Sequence, residues 1–168
     1  MQLRPYNSDR DFVYIQQWIT DARTHAKWCA NRIPYPLTRE GFDQTLENHK
    51  RDWGDMPYIF TDDEDKPIGF FAYSINREKN FAFLKSVVVD SKLRGQGYGE
   101  KMINLAKEFL FKETEVDSVK LSVFDGNTAA ERCYEKAGFI VVSHNPEGFS
   151  FGEEIWGRSI MSVPREVR

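Results

Sequence analysis

The segment Arg94-Gly95-Gln96-Gly97-Tyr98-Gly99 constrains this chain more than any other. It stands between an apolar run ending in Val87-Val88-Val89 and a helical stripe of Met102, Leu105, Ala106 and Phe109. Glycines allow the backbone to bend until several amides converge, and the following helix N-terminus adds partial positive charge. Such a junction suits an anion, and a pyrophosphate is the natural guest. Arg94 can add a charge-assisted contact at the entrance.

Two familiar nucleotide loops fail against these residues. A P-loop ends in Gly-Lys-Ser/Thr, whereas Gly99 is followed by Glu100 and Lys101. A dinucleotide fingerprint needs glycine at its sixth position, which is Glu100, and it opens a β-α-β unit instead of lying past the chain's middle. A plain strand-to-helix turn has no use for three glycines in five residues, each costly in backbone entropy.

The remaining pattern predicts one domain over residues 1–168. Gln2 to Pro5 reads as an edge strand. Phe12, Ile15 and Ile19 mark a helix over Asp9 to Ile19. Thr20 to Pro36 reads as irregular, and Thr38 opens a second helix running to about Lys50. Strands follow at Tyr58 to Phe60, Pro67 to Ile75 and Phe81 to Val89, the last apolar on both faces near its end and so central in a sheet. Beyond the loop come a helix, a strand at Val119 to Phe124, a helix at Thr128 to Ala137, a strand at Phe139 to Val142 and a last strand within Phe149 to Met161. The order β-α-α-β-β-β-α-β-α-β-β implies an α/β fold of the α+β type, a mixed sheet with helices on both faces.

A second constellation lies about thirty residues after the loop: Asn127-Thr128-Ala129-Ala130-Glu131-Arg132-Cys133-Tyr134-Glu135-Lys136-Ala137-Gly138-Phe139. Thr128 and Glu131 have capping-box spacing, which leaves Asn127 available to a ligand, although an ordinary N-cap asparagine is a fair competing reading. Asn127 and Tyr134, seven apart, project on one side. Gly138 suits a helix C-terminus, and Cys133 between Ala129 and Ala137 reads as a small buried side chain.

Together these segments resemble the GNAT superfamily of N-acetyltransferases. Arg94, Gly97 and Gly99 fill the Arg/Gln-x-x-Gly-x-Gly/Ala signature after an apolar strand. The second segment fills Asn-x-x-Ala-x-x-x-Tyr-x-x-x-Gly-Phe at every fixed position. The resemblance spans Tyr58 to Met161; the first fifty-odd residues match only in general shape. It implies a mostly antiparallel mixed sheet with a splayed strand pair that takes coenzyme A, and acetyl-coenzyme A as co-substrate. Carried over residue by residue, Val87 and Val89 meet the pantetheine arm, an amide near Val88 or Val89 meets the developing oxyanion, and Gly95, Gln96, Gly97, Tyr98 and Gly99 line the pyrophosphate. Asn127 faces the cofactor, and Tyr134 is the general acid that protonates the departing thiolate.

The acceptor is less defined. The reaction implied is attack by a neutral amine on the thioester, so a base or a desolvating pocket must first remove a proton. The central strand offers Phe83, Lys85 and Ser86 where some members of the family carry a glutamate, and Ser122 stands where others carry one. Glu78, Glu153, Glu154 or a water chain remain open. Trp28, Tyr35, Phe42 and Trp53 form either an aromatic cage for a cation or a cover over the core. Small-molecule amines such as polyamines, aminoglycosides and amino acids are admissible, as is a peptide amine. A silent domain that binds acyl-coenzyme A as a sensor is the contrasting reading.

Composition excludes other classes. Twenty-three Lys and Arg against 26 Asp and Glu leave a net charge of −3 and no footprint for nucleic acid. No apolar run could span a membrane, and the first residues do not read as a secretory signal, so a cytoplasmic location is expected. Cys29 and Cys133 are expected as free thiols, and His25, His49 and His144 lack the spacing of a metal site. Homodimers are common in the resembled family, but no interface is readable here.

Overall fold

The computed structural model describes residues 1–167. Seven strands form one open mixed sheet in the order β1-β2-β3-β4-β5-β7-β6, accompanied by five α-helices. The elements are β1 (Gln2–Pro5), α1 (Ser8–Trp18), α2 (Ala22–Cys29), α3 (Arg39–Trp53), β2 (Met56–Thr61), β3 (Pro67–Asn76), β4 (Phe81–Val89), α4 (Tyr98–Glu113), β5 (Ser118–Phe124), α5 (Thr128–Lys136), β6 (Ile140–Phe151) and β7 (Glu154–Pro164). β4 and β5 are parallel, whereas β1–β2, β2–β3, β5–β7 and β6–β7 are antiparallel. The chain divides into two compact units, Met1–Ser74 with Lys85–Tyr98, and Ile75–Leu84 with the segment from Gly99 onward.

In the first unit each helix begins where a side chain accepts from an early amide. Asn7 caps α1 through the Arg10 amide, Asp21 caps α2 through Thr24, and Thr38 caps α3 through Gly41. Phe12, Ile15 and Trp18 of α1 join Trp28, Phe42, Leu46, Ile59, Phe70 and Val88 in one buried cluster. Each such side chain, fully buried, contributes about 1.5–3 kcal/mol. Asp11 is wholly buried, and its charge is met by both terminal nitrogens of Arg4 at 2.8 Å and by the Asn7 amide at 2.7 Å.

α2 corrects the expectation of an irregular Thr20–Pro36 stretch. It is only eight residues long, and Ala30 and Asn31 at φ +51° and +57° end it. Its amphipathicity comes from His25, Ala26, Trp28 and Cys29, a face without an aliphatic stripe.

In the second unit Met102, Ile103, Ala106 and Leu110 are the fully buried face of α4, so the stripe is centred on Ile103 and Leu110 instead of Leu105 and Phe109. The end of α4 is closed by Arg165, whose guanidinium donates to the carbonyls of Phe111, Thr114 and Val116 at 2.7–2.9 Å. β6 runs on to Phe151 and turns at Gly152 and Glu153 into β7, so Phe149 belongs to β6 and not to the last strand. Near that hairpin the His144 ring of β6 reaches Asp125, with Nε2 2.9 and 3.1 Å from the two carboxylate oxygens. Gly157 of β7 makes room: a Cβ there would overlap Asp125 Oδ2 and lie 3.1 Å from His144 Nε2.

Candidate active site

β4 brings its chemistry to the end of a strand that is not regular. Its ladder with β5 runs from Phe81 opposite Ser118 to Leu84 opposite Leu121. Ser86 then adopts φ +51°, a conformation that non-glycine residues rarely take. The Ser86 carbonyl accepts from the Trp28 indole nitrogen at 2.7 Å. Val88 enters the core of the first unit, while Val87 and Val89 are half-buried.

A single 3-10 turn, Ser91–Leu93, leads into the glycine segment. Gly95 and Gly97 have φ +77° and +81°, and a Cβ at either would meet nothing within 4 Å. The amides of Gly95, Gln96 and Gly97 donate to no backbone acceptor among the described residues. Alternating positive-φ residues with open amides are a backbone pattern able to take an anion, and here the pattern directly precedes the 16-residue α4. The residues present therefore fit a pyrophosphate. Gly99 differs from these two: it has no positive φ, and its Cβ position lies 3.4 Å from Cys133 Sγ, an ordinary contact.

In the second unit Asn127, not Thr128, caps α5, accepting from the Ala130 amide at 3.4 Å. This corrects the capping-box reading. The Asn127 Oδ1 is used by the helix, and its Nδ2 has no partner among the described residues. Tyr134 is buried against Phe139, and its hydroxyl makes no hydrogen bond to the described residues. Burial pushes its phenol well above the ordinary value, with the neighbouring Cys133 adding to the shift. Cys133 is half-buried and free, its thiol pushed up to about 11 by desolvation and then by Glu100.

Ser122 carries a cation instead of a carboxylate: its hydroxyl accepts from Arg158 Nε at 3.1 Å and Nη2 at 2.9 Å. The four aromatics of the first unit do not gather. Trp28 and Phe42 stack in the core at 6.1 Å, while Tyr35 and Trp53 are exposed, the former donating to the Thr20 carbonyl and the latter tilted against the His49 ring.

One constellation has no signal in the sequence. Asp55, 4% exposed, accepts from Lys85 Nζ at 2.8 Å, and His49 Nδ1 lies 3.9 Å from its other oxygen. Thirty residues separate the ion pair, so no spacing rule could have found it. Among the described residues no three His, Cys, Asp or Glu side chains converge as a metal site, and no helix is long and apolar enough to cross a membrane.

An open mixed sheet of this order is the arrangement of the GNAT fold. The crystal structure of the spermidine N-acetyltransferase of Vibrio cholerae in complex with CoA and spermine superposes with a TM-score of 0.80 at 19% identity, covering 97% of this chain and 94% of that one. The sequence pattern of the acetyltransferase (GNAT) family matches residues 12–139, and the chain belongs to that family. It is an N-acetyltransferase that uses acetyl-CoA as co-substrate. Among named relatives, an aminoglycoside N(6')-acetyltransferase type 1 of Klebsiella pneumoniae is 23% identical over 144 residues, 79% of this chain and 70% of that protein. A kanamycin resistance protein of Rhizobium radiobacter is 42% identical over 45 residues, 27% of this chain and 42% of that protein.

Proposed function

We propose that this enzyme acetylates a primary amine of a small molecule, with Tyr134 as general acid. The observation that carries the cofactor half is the Gly95–Gly97 cradle, with its open amides at the start of α4. Gly95, Gln96, Gly97 and Tyr98 hold the pyrophosphate, with Arg94 at the entrance and Gly99 closing the turn. Val87 and Val89 pair with pantetheine, the amide of Val88 or Val89 stabilises the oxyanion, and the Asn127 Nδ2 donates to the cofactor.

The amine nitrogen attacks the thioester carbonyl, the C–S bond breaks, and the thiolate takes the Tyr134 proton. The phenoxide is restored by the proton still carried on nitrogen. A phenol that burial holds protonated is suited to this transfer. The small-molecule acceptor draws support from the relatives, which are described as acting on aminoglycosides and on spermidine.

The test is thermal unfolding with acetyl-CoA, NAD and ATP added separately, followed by thiol release with kanamycin, spermidine and a peptide with a free N-terminus. Ligand at 100 times its dissociation constant stabilises by about 2.7 kcal/mol, a shift of a few degrees. A shift with acetyl-CoA alone and thiol release with kanamycin or spermidine are expected. A shift with NAD instead, or release with the peptide only, would overturn the reading.

A further inference from the structure

The sequence leaves this enzyme without an evident base, because Lys85 and Ser86 occupy the central strand and Ser122 is bonded to Arg158. A cavity in the first unit holds titratable side chains that could serve as one. It lies between α3 and the sheet, reaches Ser86 on β4, and has about 10 Å³ for the centre of a water. That is room for one molecule, which needs two to four polar partners. Arg32, His49, Asp55 and Lys85 line it, with Leu46 and Phe70 as apolar wall.

We propose that His49, set beside the Asp55–Lys85 ion pair, takes a proton from the acceptor ammonium through a water seated in this cavity. The proposal rests on the reading that the amine is acetylated at the Val87–Val89 end of β4, one residue beyond Ser86. The separation of 3.9 Å between His49 Nδ1 and Asp55 Oδ2 is too long for a direct hydrogen bond and suits a bridging water. The Trp53 ring lies beside the imidazole, with centroids 4.6 Å apart and planes tilted by 33°. Asp55 is a positioning residue, held by Lys85 with its second oxygen turned toward the ring.

The charges around the imidazole agree with an acceptor of protons. Desolvation lowers the His49 pKa from its ordinary value, Asp55 and Asp52 oppose that shift, and Arg32 and Lys85 add to it. His49 is therefore neutral at pH 7. The ammonium gives one proton to the water, the water gives one to His49, and His49 releases it to solvent. The neutral amine then attacks the thioester, and its second proton ends on the thiolate.

The experiment is kcat/KM against pH, from about pH 5.5 to about 9, by thiol release from acetyl-CoA with kanamycin or spermidine. Wild-type enzyme is expected to show an acid limb below pH 6.5 followed by a plateau. His49→Gln is expected to lose the plateau, rising about tenfold per pH unit toward the amine's own pKa, and to fall about 10²-fold at pH 7. Its thermal shift with acetyl-CoA stays unchanged. Asp55→Asn moves the acid limb to lower pH, because it removes the attraction that favours protonated His49. A His49→Gln enzyme with wild-type rate and plateau overturns the proposal alone. Wild-type enzyme that releases no thiol with any amine overturns the underlying reading, and this proposal with it.

Discussion

Trp28 holds Ser86: the indole nitrogen of a core tryptophan donates to the carbonyl of the residue at positive φ in β4. The strand's irregularity is thus tied to the core cluster. Trp28→Phe keeps an aromatic ring between Phe42 and Phe70 but leaves that carbonyl unpaired. A loss of about 1–3 kcal/mol is expected, read as a lower urea midpoint at unchanged slope. An unchanged midpoint would mean that the positive-φ conformation of Ser86 stands without its anchor.

Tyr134→Phe removes one hydroxyl from a buried ring that packs on Phe139. Affinity for acetyl-CoA should persist while turnover drops by about 10²–10⁴-fold, as for loss of a general acid. Calorimetry with acetyl-CoA and thiol-release kinetics check the two halves. Near-normal turnover would exclude Tyr134 from proton transfer.

Gly97→Val and Gly99→Ala should behave oppositely. At φ +81° a β-branched residue is strained, and its side chain enters the open concavity, so the thermal shift with acetyl-CoA should vanish while the exposed loop leaves the fold intact. At Gly99 a methyl meets Cys133 Sγ at an ordinary 3.4 Å and is tolerated. Equal affinity in the Gly97 variant would remove the cradle from cofactor binding.

Stability should depend on pH through His25. The ring is 1% exposed, beside Cys29 Sγ at 3.4 Å and Asn31 Oδ1 at 3.3 Å, and desolvation lowers its pKa from 6.5 despite bonds to Asn31 and the Ile33 backbone. The unfolded chain therefore binds this proton more readily than the folded one. The stabilisation is full above 6.5 and is lost as pH falls from there through the folded value. Urea midpoints measured across that window should decline in the wild type and decline less in His25→Gln; parallel declines would contradict the assignment.

What could be read from the sequence follows from the range of the interactions. Phe81–Val89 and the boundaries of β1 were readable because strand periodicity and flanking turn residues are local signals. The glycine segment was readable because backbone conformation limits residue choice at single positions. α2 was not, since eight residues with His25 and Cys29 on the inner face give no aliphatic repeat. The Thr128–Glu131 spacing misled because Asn127, one position earlier, caps as well as threonine does. The Asp55–Lys85 pair and the Ser122–Arg158 bond join residues 30 and 36 apart, and only the folded sheet brings them together.

The crossing of His144 over Gly157 to Asp125 has an evolutionary reading. The three positions share one volume, so none can drift alone: a Cβ at 157 needs a shorter residue at 125, and a shorter residue at 125 strands the imidazole. Across descendants of this chain, positions 125, 144 and 157 are expected to change as a set. Each path between viable sets passes through an intermediate that is either overfilled or missing its partner.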